Sequence, residues 1–97
     1  MEEQHPAVVH DAAAGQFEMR ENGQLAFLAY TMAGNRIRLV HTEVPPELQG
    51  RGYADRLVRA ALEHARREGL AVVPSCPFVR AYIERHPEYA PLVATSG

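Results

Sequence analysis

The period of the hydrophobic pattern changes at one glycine turn, and this change constrains the fold more than any other feature. Before Gly50-Arg51-Gly52 the apolar positions follow the two-residue period of a β-strand, and after it they recur at helical spacing. Gly69 is placed to end the helix, and residues 70–73 follow as a short apolar strand. The pattern predicts a strand–helix–strand unit whose second strand runs parallel to the first. The apolar stripe of the helix consists of Ala54, Leu57, Val58, Ala61, Leu62 and Ala65.

Two turn signals upstream of this unit predict three consecutive antiparallel strands. Asn22-Gly23 separates residues 17–20 from residues 25–32, and it supplies the positive φ angles of a tight hairpin. Gly34-Asn35 then precedes residues 37–44. Both alternating sets within residues 25–32 are largely apolar, which predicts a central strand covered on both faces.

A second helix and the chain ends complete the predicted architecture. Pro77 suits the first position of a helix that runs to about His86 and stops at Pro87. We expect residues 1–6 and 94–97 to be frayed. The 97 residues allow one domain, residues 1–97. The predicted fold class is α+β, with a mixed, mostly antiparallel sheet and two main helices.

Composition and charge exclude several classes of function. A net charge of −2 and a pI near 6.2 argue against nucleic-acid binding, which needs clustered basic charge. No apolar stretch approaches the ~18 residues of a membrane helix, and residues 1–6 do not resemble a signal peptide. We therefore expect a cytoplasmic protein with no membrane partner. The single cysteine, Cys76, excludes an intramolecular disulfide and a multi-cysteine zinc site, and no metal is expected.

Gly50 and Gly52 lie where the predicted strand gives way to the helix. A backbone without side chains can approach a ligand closely there, and the unpaired N–H groups of a helix start favour phosphate. The lysine and hydroxyl residue of a Walker loop are absent, as is the three-glycine dinucleotide fingerprint. The pattern therefore leaves two interpretations, a phosphate site or a sharp turn into the helix.

The segment around this turn resembles the acetyl-CoA signature of the GNAT N-acetyltransferase superfamily. Its core, Gln/Arg-x-x-Gly-x-Gly/Ala, is met by Gln49, Gly52 and Ala54. The resemblance extends over roughly residues 16–93. Over this range the chain resembles a compact GNAT-like family whose members have about this length. It implies a minimal GNAT fold that uses acetyl-CoA as cosubstrate and transfers the acetyl group to a primary amine of unknown identity.

The resemblance also implies how the cofactor is held. Val44 would pair its backbone with the pantetheine arm, and the main-chain N–H groups of the turn would hold the CoA pyrophosphate. The chain before the first long strand, which helps to cover the acceptor in larger GNAT enzymes, is nearly missing here. The acceptor site is then either open or completed by a second subunit in a homo-oligomer. The implied pyrophosphate residues are Gly50, Arg51, Gly52, Tyr53 and Ala54.

Acetyl transfer needs a neutral amine, stabilisation of an oxyanion and a proton for the departing thiolate. His41 and Glu43 share a face of the third predicted strand, because side chains alternate. Both precede the glycine turn closely enough to lie near the thioester, and either could accept the amine proton. The alternative is a hydrogen-bonded histidine and a solvated glutamate at the end of a sheet.

Two further residues are candidates for work at the CoA sulfur. Cys76 precedes Pro77, near the N-terminus of the second helix, where the dipole favours a thiolate. It is a nucleophile, a proton carrier or a core residue. Tyr82 resembles the tyrosine of larger GNAT enzymes that protonates the leaving thiolate, although its helical spacing from Phe78 and Ile83 also fits core packing.

These observations leave three hypotheses for the function. The first is an N-acetyltransferase that uses acetyl-CoA. The second is a non-catalytic acyl-CoA-binding or regulatory module of the same fold, because so short a chain encloses an acceptor poorly. The third is a phosphate- or nucleotide-binding domain unrelated to CoA, which the three strands before the glycine turn disfavour.

Overall fold

A computed structural model describes residues 6–95 of the chain. In this range there are five strands, two α-helices and two short 3-10 helices, at Pro46–Leu48 and Pro87–Leu92. Of the termini expected to be frayed, residues 1–5 and 96–97 lie outside the described range. The Ala94 N–H donates a hydrogen bond to the Val72 carbonyl at 2.7 Å. The elements in chain order are β1 (Val9–Asp11), β2 (Gln16–Glu21), β3 (Gln24–Ala33), β4 (Arg36–Glu43), α1 (Tyr53–Glu68), β5 (Ala71–Pro74) and α2 (Pro77–Arg85).

The strands form one mixed sheet in the order β1-β2-β3-β4-β5. β1 to β4 are antiparallel neighbours, and β5 returns parallel to β4 after α1. Positive φ angles at Asn22, Gly23 and Gly34 form the two predicted turns. The predicted α+β class, the parallel return and the central position of β3 are confirmed. β1 was not predicted, because three residues are too short to show an alternating pattern.

α1 begins and ends at glycines, as the pattern predicted, and both glycines have the left-handed conformation. Gly52 precedes it with φ 80°, and Gly69 follows it with φ 68° and donates to the Ala65 and Arg66 carbonyls. The buried stripe differs from the prediction at its start. Tyr53 is buried there, while Ala54 is only half-buried.

The prediction that β3 is covered on both faces is wrong. Every buried apolar residue of β3 and β4 lies on the face against which α1 packs: Ala26, Leu28, Ile37 and Leu39. On the opposite face, Leu25, Phe27 and Ala29 are only half-buried. We call this opposite side of β3 and β4 the open face. Its apolar residues resembled core in the sequence because a two-residue period does not show which face a helix covers.

A β-bulge in β4 changes which side chains face the helix. The pairing of β3 with β4 shifts by one residue, which leaves Val40 as the extra residue. Before the bulge Leu39 faces α1, and after it Thr42 does. His41 and Glu43 consequently lie on the open face instead of continuing the buried set.

α2 and the 3-10 helix after it are held against α1 by polar contacts. The predicted second helix is confirmed at Pro77–Arg85, with proline at its first position. The Tyr89 hydroxyl donates to the Glu63 carboxylate at 2.6 Å. Burial and this carboxylate raise the pKa of Tyr89 to about 12. Arg85 and Asp55 form a second contact, at 3.3 Å. α2 is thereby fixed beside the start of α1.

An aromatic cluster holds the edge strand β1 against the C-terminal half of α1. His10 stacks on Phe17 at 4.3 Å, donates to or accepts from the Tyr30 hydroxyl at 2.5 Å, and lies 4.5 Å from the His64 ring. Burial is the main cause that lowers the pKa of His64, with His10 and Arg67 acting in the same direction. Glu68 opposes them. The cluster therefore disfavours a charged His64.

We expect the free energy of unfolding to fall when the pH drops from about 7.5 to about 5.5. The pKa of His64 is lower in the folded than in the unfolded chain, so the unfolded chain binds more protons below about pH 6.5. The stability associated with neutral His64 is present above this pH and is lost below it. Denaturant unfolding of the wild-type chain and His64→Gln across this range measures the effect. A pH dependence equally steep in both proteins would contradict the assignment.

Candidate functional site

The candidate site begins where the two parallel strands separate. The last pair between β4 and β5 is Leu39 with Pro74, and β4 continues alone to Glu43. The Leu39 carbonyl accepts hydrogen bonds from the backbone N–H groups of both Ser75 and Cys76, at 3.1 and 3.0 Å. These bonds turn the chain after β5 away from β4 and into α2. The separation leaves a cleft between the end of β4 and the start of α2.

A cavity of about 400 Å³ occupies this cleft. Six of the seven residues predicted to bind the cofactor line it, and the seventh, Arg51, lines a neighbouring groove. Three different parts of the chain therefore meet at one concave surface: the end of β4, the glycine turn with the start of α1, and the first turn of α2. The lining residues are Thr42, Val44, Leu48, Gln49, Gly50, Gly52, Tyr53, Ala54, Asp55 and Phe78.

The glycine turn has a backbone conformation that residues with a Cβ adopt reluctantly. Gly50 and Gly52 both have φ 80°, and a Cβ added to either would meet no atom within 4 Å. Glycine is therefore required for its backbone conformation and not because a side chain would clash with neighbouring atoms. No side chain caps α1 at Gly52. The positive end of the helix dipole thus lies at the cavity wall, where it favours an anion.

Gln49 links the glycine turn to the end of β4. Its side-chain amide donates to the Val44 carbonyl at 3.0 Å. Leu48, which is buried in the preceding 3-10 helix, anchors the same segment in the core. The position of the turn relative to β4 is therefore set by one hydrogen bond and one apolar contact surface.

Cys76 occupies the N-cap position of α2, behind the lining residues Thr42 and Phe78 and not itself part of the cavity wall. Its side chain is buried, and its Sγ lies 3.7 Å from the Thr42 hydroxyl oxygen. Burial raises the pKa of Cys76, but hydrogen bonds from the backbone N–H groups of Val79 and Phe78, and from Thr42, outweigh it and lower the pKa below that of an ordinary thiol. Thr42 and Phe78 also line the cavity, so they connect the thiol to the glycine turn.

Two arginines hold the turn that carries the thiol. The Arg80 guanidinium donates to the Pro74 and Ser75 carbonyls at 2.9 and 3.0 Å. Arg38 donates to the Ser75 hydroxyl at 2.8 Å. The sequence patterns predicted neither of these contacts. A local pattern does not reveal contacts to backbone carbonyls in another element.

His41 and Glu43 are brought together, but away from the cavity. The prediction that they share a strand face is confirmed, since His41 Nε2 lies 3.0 Å from Glu43 Oε1. Their side chains are 58% and 61% exposed on the open face, and neither lines the cavity. Thr42, between them in sequence, is the residue of this segment that faces the cleft. The β-bulge at Val40 produces this arrangement.

Tyr82 lies between the two helices and lines the neighbouring groove. Its ring stacks on His86 at 4.2 Å and lies 6.1 Å from the Tyr89 ring. Burial is the largest cause that raises the pKa of Tyr82. The phenol thus keeps its proton, and its ring is part of the core cluster.

No helix in the part of the chain that the structure describes has the length and apolar character needed to cross a membrane. Within residues 6–95, no group of three or more His, Cys, Asp or Glu side chains is arranged to hold a metal ion.

Comparisons with known proteins agree on one family. The model of the family described as GCN5-related N-acetyl-transferase matches residues 16–92. Protein NATD1 of Mus musculus is 40% identical over 83 residues, covering 82% of this chain and 76% of that protein. Protein NATD1 of Danio rerio is 34% identical over 87 residues, covering 84% and 79%. The solution structure of a GCN5-like protein from Staphylococcus aureus superposes with a TM-score of 0.72 and 28% identity, covering 98% of this chain and 94% of that one.

Proposed function

Because the chain belongs to the GCN5-related N-acetyltransferase family, we propose that it binds acetyl-CoA and transfers the acetyl group to a primary amine. The observation that carries this proposal is the cleft between β4 and α2. One cavity joins a glycine turn suited to phosphate with the surroundings of a thiol whose pKa is lowered by hydrogen bonds that outweigh its burial. The cleft can therefore hold one ligand with its anionic group at the glycine turn and its reactive acyl carbon near the thiol.

The residues of the cleft fit the parts of acetyl-CoA. Main-chain N–H groups from Gly50 to Ala54, with the helix dipole behind them, suit the pyrophosphate. Val44, directly after the end of β4, offers backbone to an extended chain such as pantetheine, because β5 has already separated from β4. The bound cosubstrate would supply the activated acetyl group near Cys76.

Cys76 is the residue we assign to the chemistry at the thioester, and two routes are open to it. A thiol whose pKa is lowered supplies the thiolate that attacks an acyl carbon. Attack by its Sγ would form an acetyl-cysteine and release CoA as the thiolate. Alternatively, the thiol would give its proton to the departing CoA thiolate after the amine attacks. We assign Tyr82 a structural role, because its ring packs against His86 and Tyr89 in the core beside α2.

The amine would reach the acetyl group from the open face. His41 and Glu43 are exposed there and hydrogen-bonded to each other, so the carboxylate can orient the imidazole as a proton acceptor. The amine must lose a proton to attack, and this pair would accept it directly or through water. An open acceptor side also fits the second hypothesis, a module that binds acyl-CoA without transferring the acetyl group.

We expect Gly52→Ala to weaken acetyl-CoA binding about tenfold, because αL backbone is unfavourable for alanine and relief of the strain would move the turn N–H groups. Calorimetric titration with acetyl-CoA, CoA and ATP measures this effect. ATP should not bind.

Gly34→Ala is the matched control for that titration. Gly34 also has a positive φ and room for a Cβ, but it lies in the turn between β3 and β4. It should reduce stability by a similar amount and leave acetyl-CoA affinity unchanged. Absence of acetyl-CoA binding near ~1 mM ligand would refute the proposed function, since less than about 4 kcal/mol of binding free energy would remain.

Intact-mass spectrometry after exposure to acetyl-CoA separates the two routes at Cys76. The attack route predicts one added acetyl group on the wild-type chain and none on Cys76→Ala. The proton-carrier route predicts no adduct on the wild-type chain. It also predicts that Cys76→Ala releases less CoA than the wild type when a panel of amines is supplied as acceptors. Unchanged CoA release in Cys76→Ala would remove Cys76 from the mechanism. Acetyl-CoA binding without adduct or release in the wild type would favour the non-catalytic module.

A further inference from the structure

A second concave surface adjoins the cleft at the glycine turn. This groove has a volume of about 540 Å³ and lies between the start of α1 and the end of α2. It shares Gly50 and Gly52 with the cleft, so a ligand held at the turn can extend into it. We call it the arginine groove. Its lining residues are Gly50, Arg51, Gly52, Asp55, Arg56, Arg59, Tyr82 and His86.

Three polar groups of the arginine groove, Arg51, Asp55 and His86, already have partners. Asp55 is paired with Arg85 at 3.3 Å, so its negative charge is compensated. Arg51 lies 3.8 Å from the Glu21 carboxylate, and His86 lies 4.0 Å from Glu88. These pairs leave the groove with no uncompensated carboxylate among its described lining residues.

Arg56 and Arg59 differ from these groups. Neither side chain makes a hydrogen bond or an ion pair with any other residue in the range 6–95. Arg59 acts only electrostatically on Glu63, Tyr82 and Tyr89. Both arginines are exposed, although the chain as a whole carries a net charge of −2. Two unpaired guanidinium groups therefore converge on one groove of an acidic protein.

The spacing of the two arginines fits a compact anion close to the turn. They are three residues apart and so lie on the same face of α1. At 1.5 Å per residue, their backbones stand about 6 and about 10 Å along the helix axis from Gly52. The distance from Gly52 to the two arginines corresponds to the length of a nucleoside unit whose phosphate is bound at the turn. Guanidinium groups bind phosphate oxygens through two parallel hydrogen bonds, and the three free oxygens of a phosphate monoester allow both arginines to bind it at once.

Building on the proposed function, we propose that Arg56 and Arg59 bind the 3′-phosphate of CoA in the arginine groove. The two arginines are then specificity-determining residues, which distinguish CoA from dephospho-CoA. This ligand differs only in the absence of that phosphate. The glycine turn would hold the pyrophosphate common to both ligands.

Calorimetric titration of the full chain with CoA and dephospho-CoA tests this proposal. We expect the wild-type chain to bind CoA at least about fivefold more tightly than dephospho-CoA. Arg56→Gln and Arg59→Gln should each weaken CoA binding about fivefold and leave dephospho-CoA binding unchanged. The preference should shrink at about 1 M salt, where exposed charges are screened.

Arg67→Gln is the matched control, because Arg67 is exposed on α1 but lies outside the arginine groove. It should bind both ligands as the wild type does. Equal affinity of the wild type for CoA and dephospho-CoA would overturn the proposal while leaving the proposed function intact. Equal weakening of both ligands by Arg56→Gln and Arg59→Gln would also overturn it. Failure of both ligands to bind the wild type would overturn the proposed function itself.

Discussion

The separation of β4 from β5 beyond Leu39 and Pro74 is the constraint on which the rest of the site depends. The Leu39 carbonyl uses both of its acceptor directions for the N–H groups of Ser75 and Cys76, so the chain must leave the sheet there. This departure opens the cleft and starts α2. It also places the thiol at the helix N-terminus, opposite the glycine turn that begins α1.

The bulge at Val40 decides which side chains of β4 face the cleft and which face the open side. Thr42 faces the cavity and contacts Cys76, whereas His41 and Glu43 face the open side. Without the bulge, His41 and Glu43 would face α1 and would place polar side chains in the apolar core. One extra residue therefore separates the side of the strand that faces the cavity from the side on which we propose that the amine approaches.

Local patterns predicted the elements of this fold, while features that depend on contacts between elements were missed. The period change at Gly50-Arg51-Gly52 placed α1 and its caps, because amphipathic spacing and glycine conformations are local properties. The bulge was missed because one unpaired residue has no signature without its partner strand. The open face was missed because half-buried and fully buried apolar residues look alike in a sequence. Arg80 was missed as the residue that holds the Cys76 turn, because its acceptors are backbone carbonyls of β5 and the loop after it.

The central claim is that acetyl-CoA lies in the cleft, from the glycine turn to Cys76. Amide chemical shifts of the isotopically labelled chain during titration with acetyl-CoA test this claim most directly. We expect the largest changes at Gly50, Gly52 and Cys76, and little change at Phe27 and Ala29 on the open face. Saturable changes confined to the open face, or no saturable change at all, would contradict the claim.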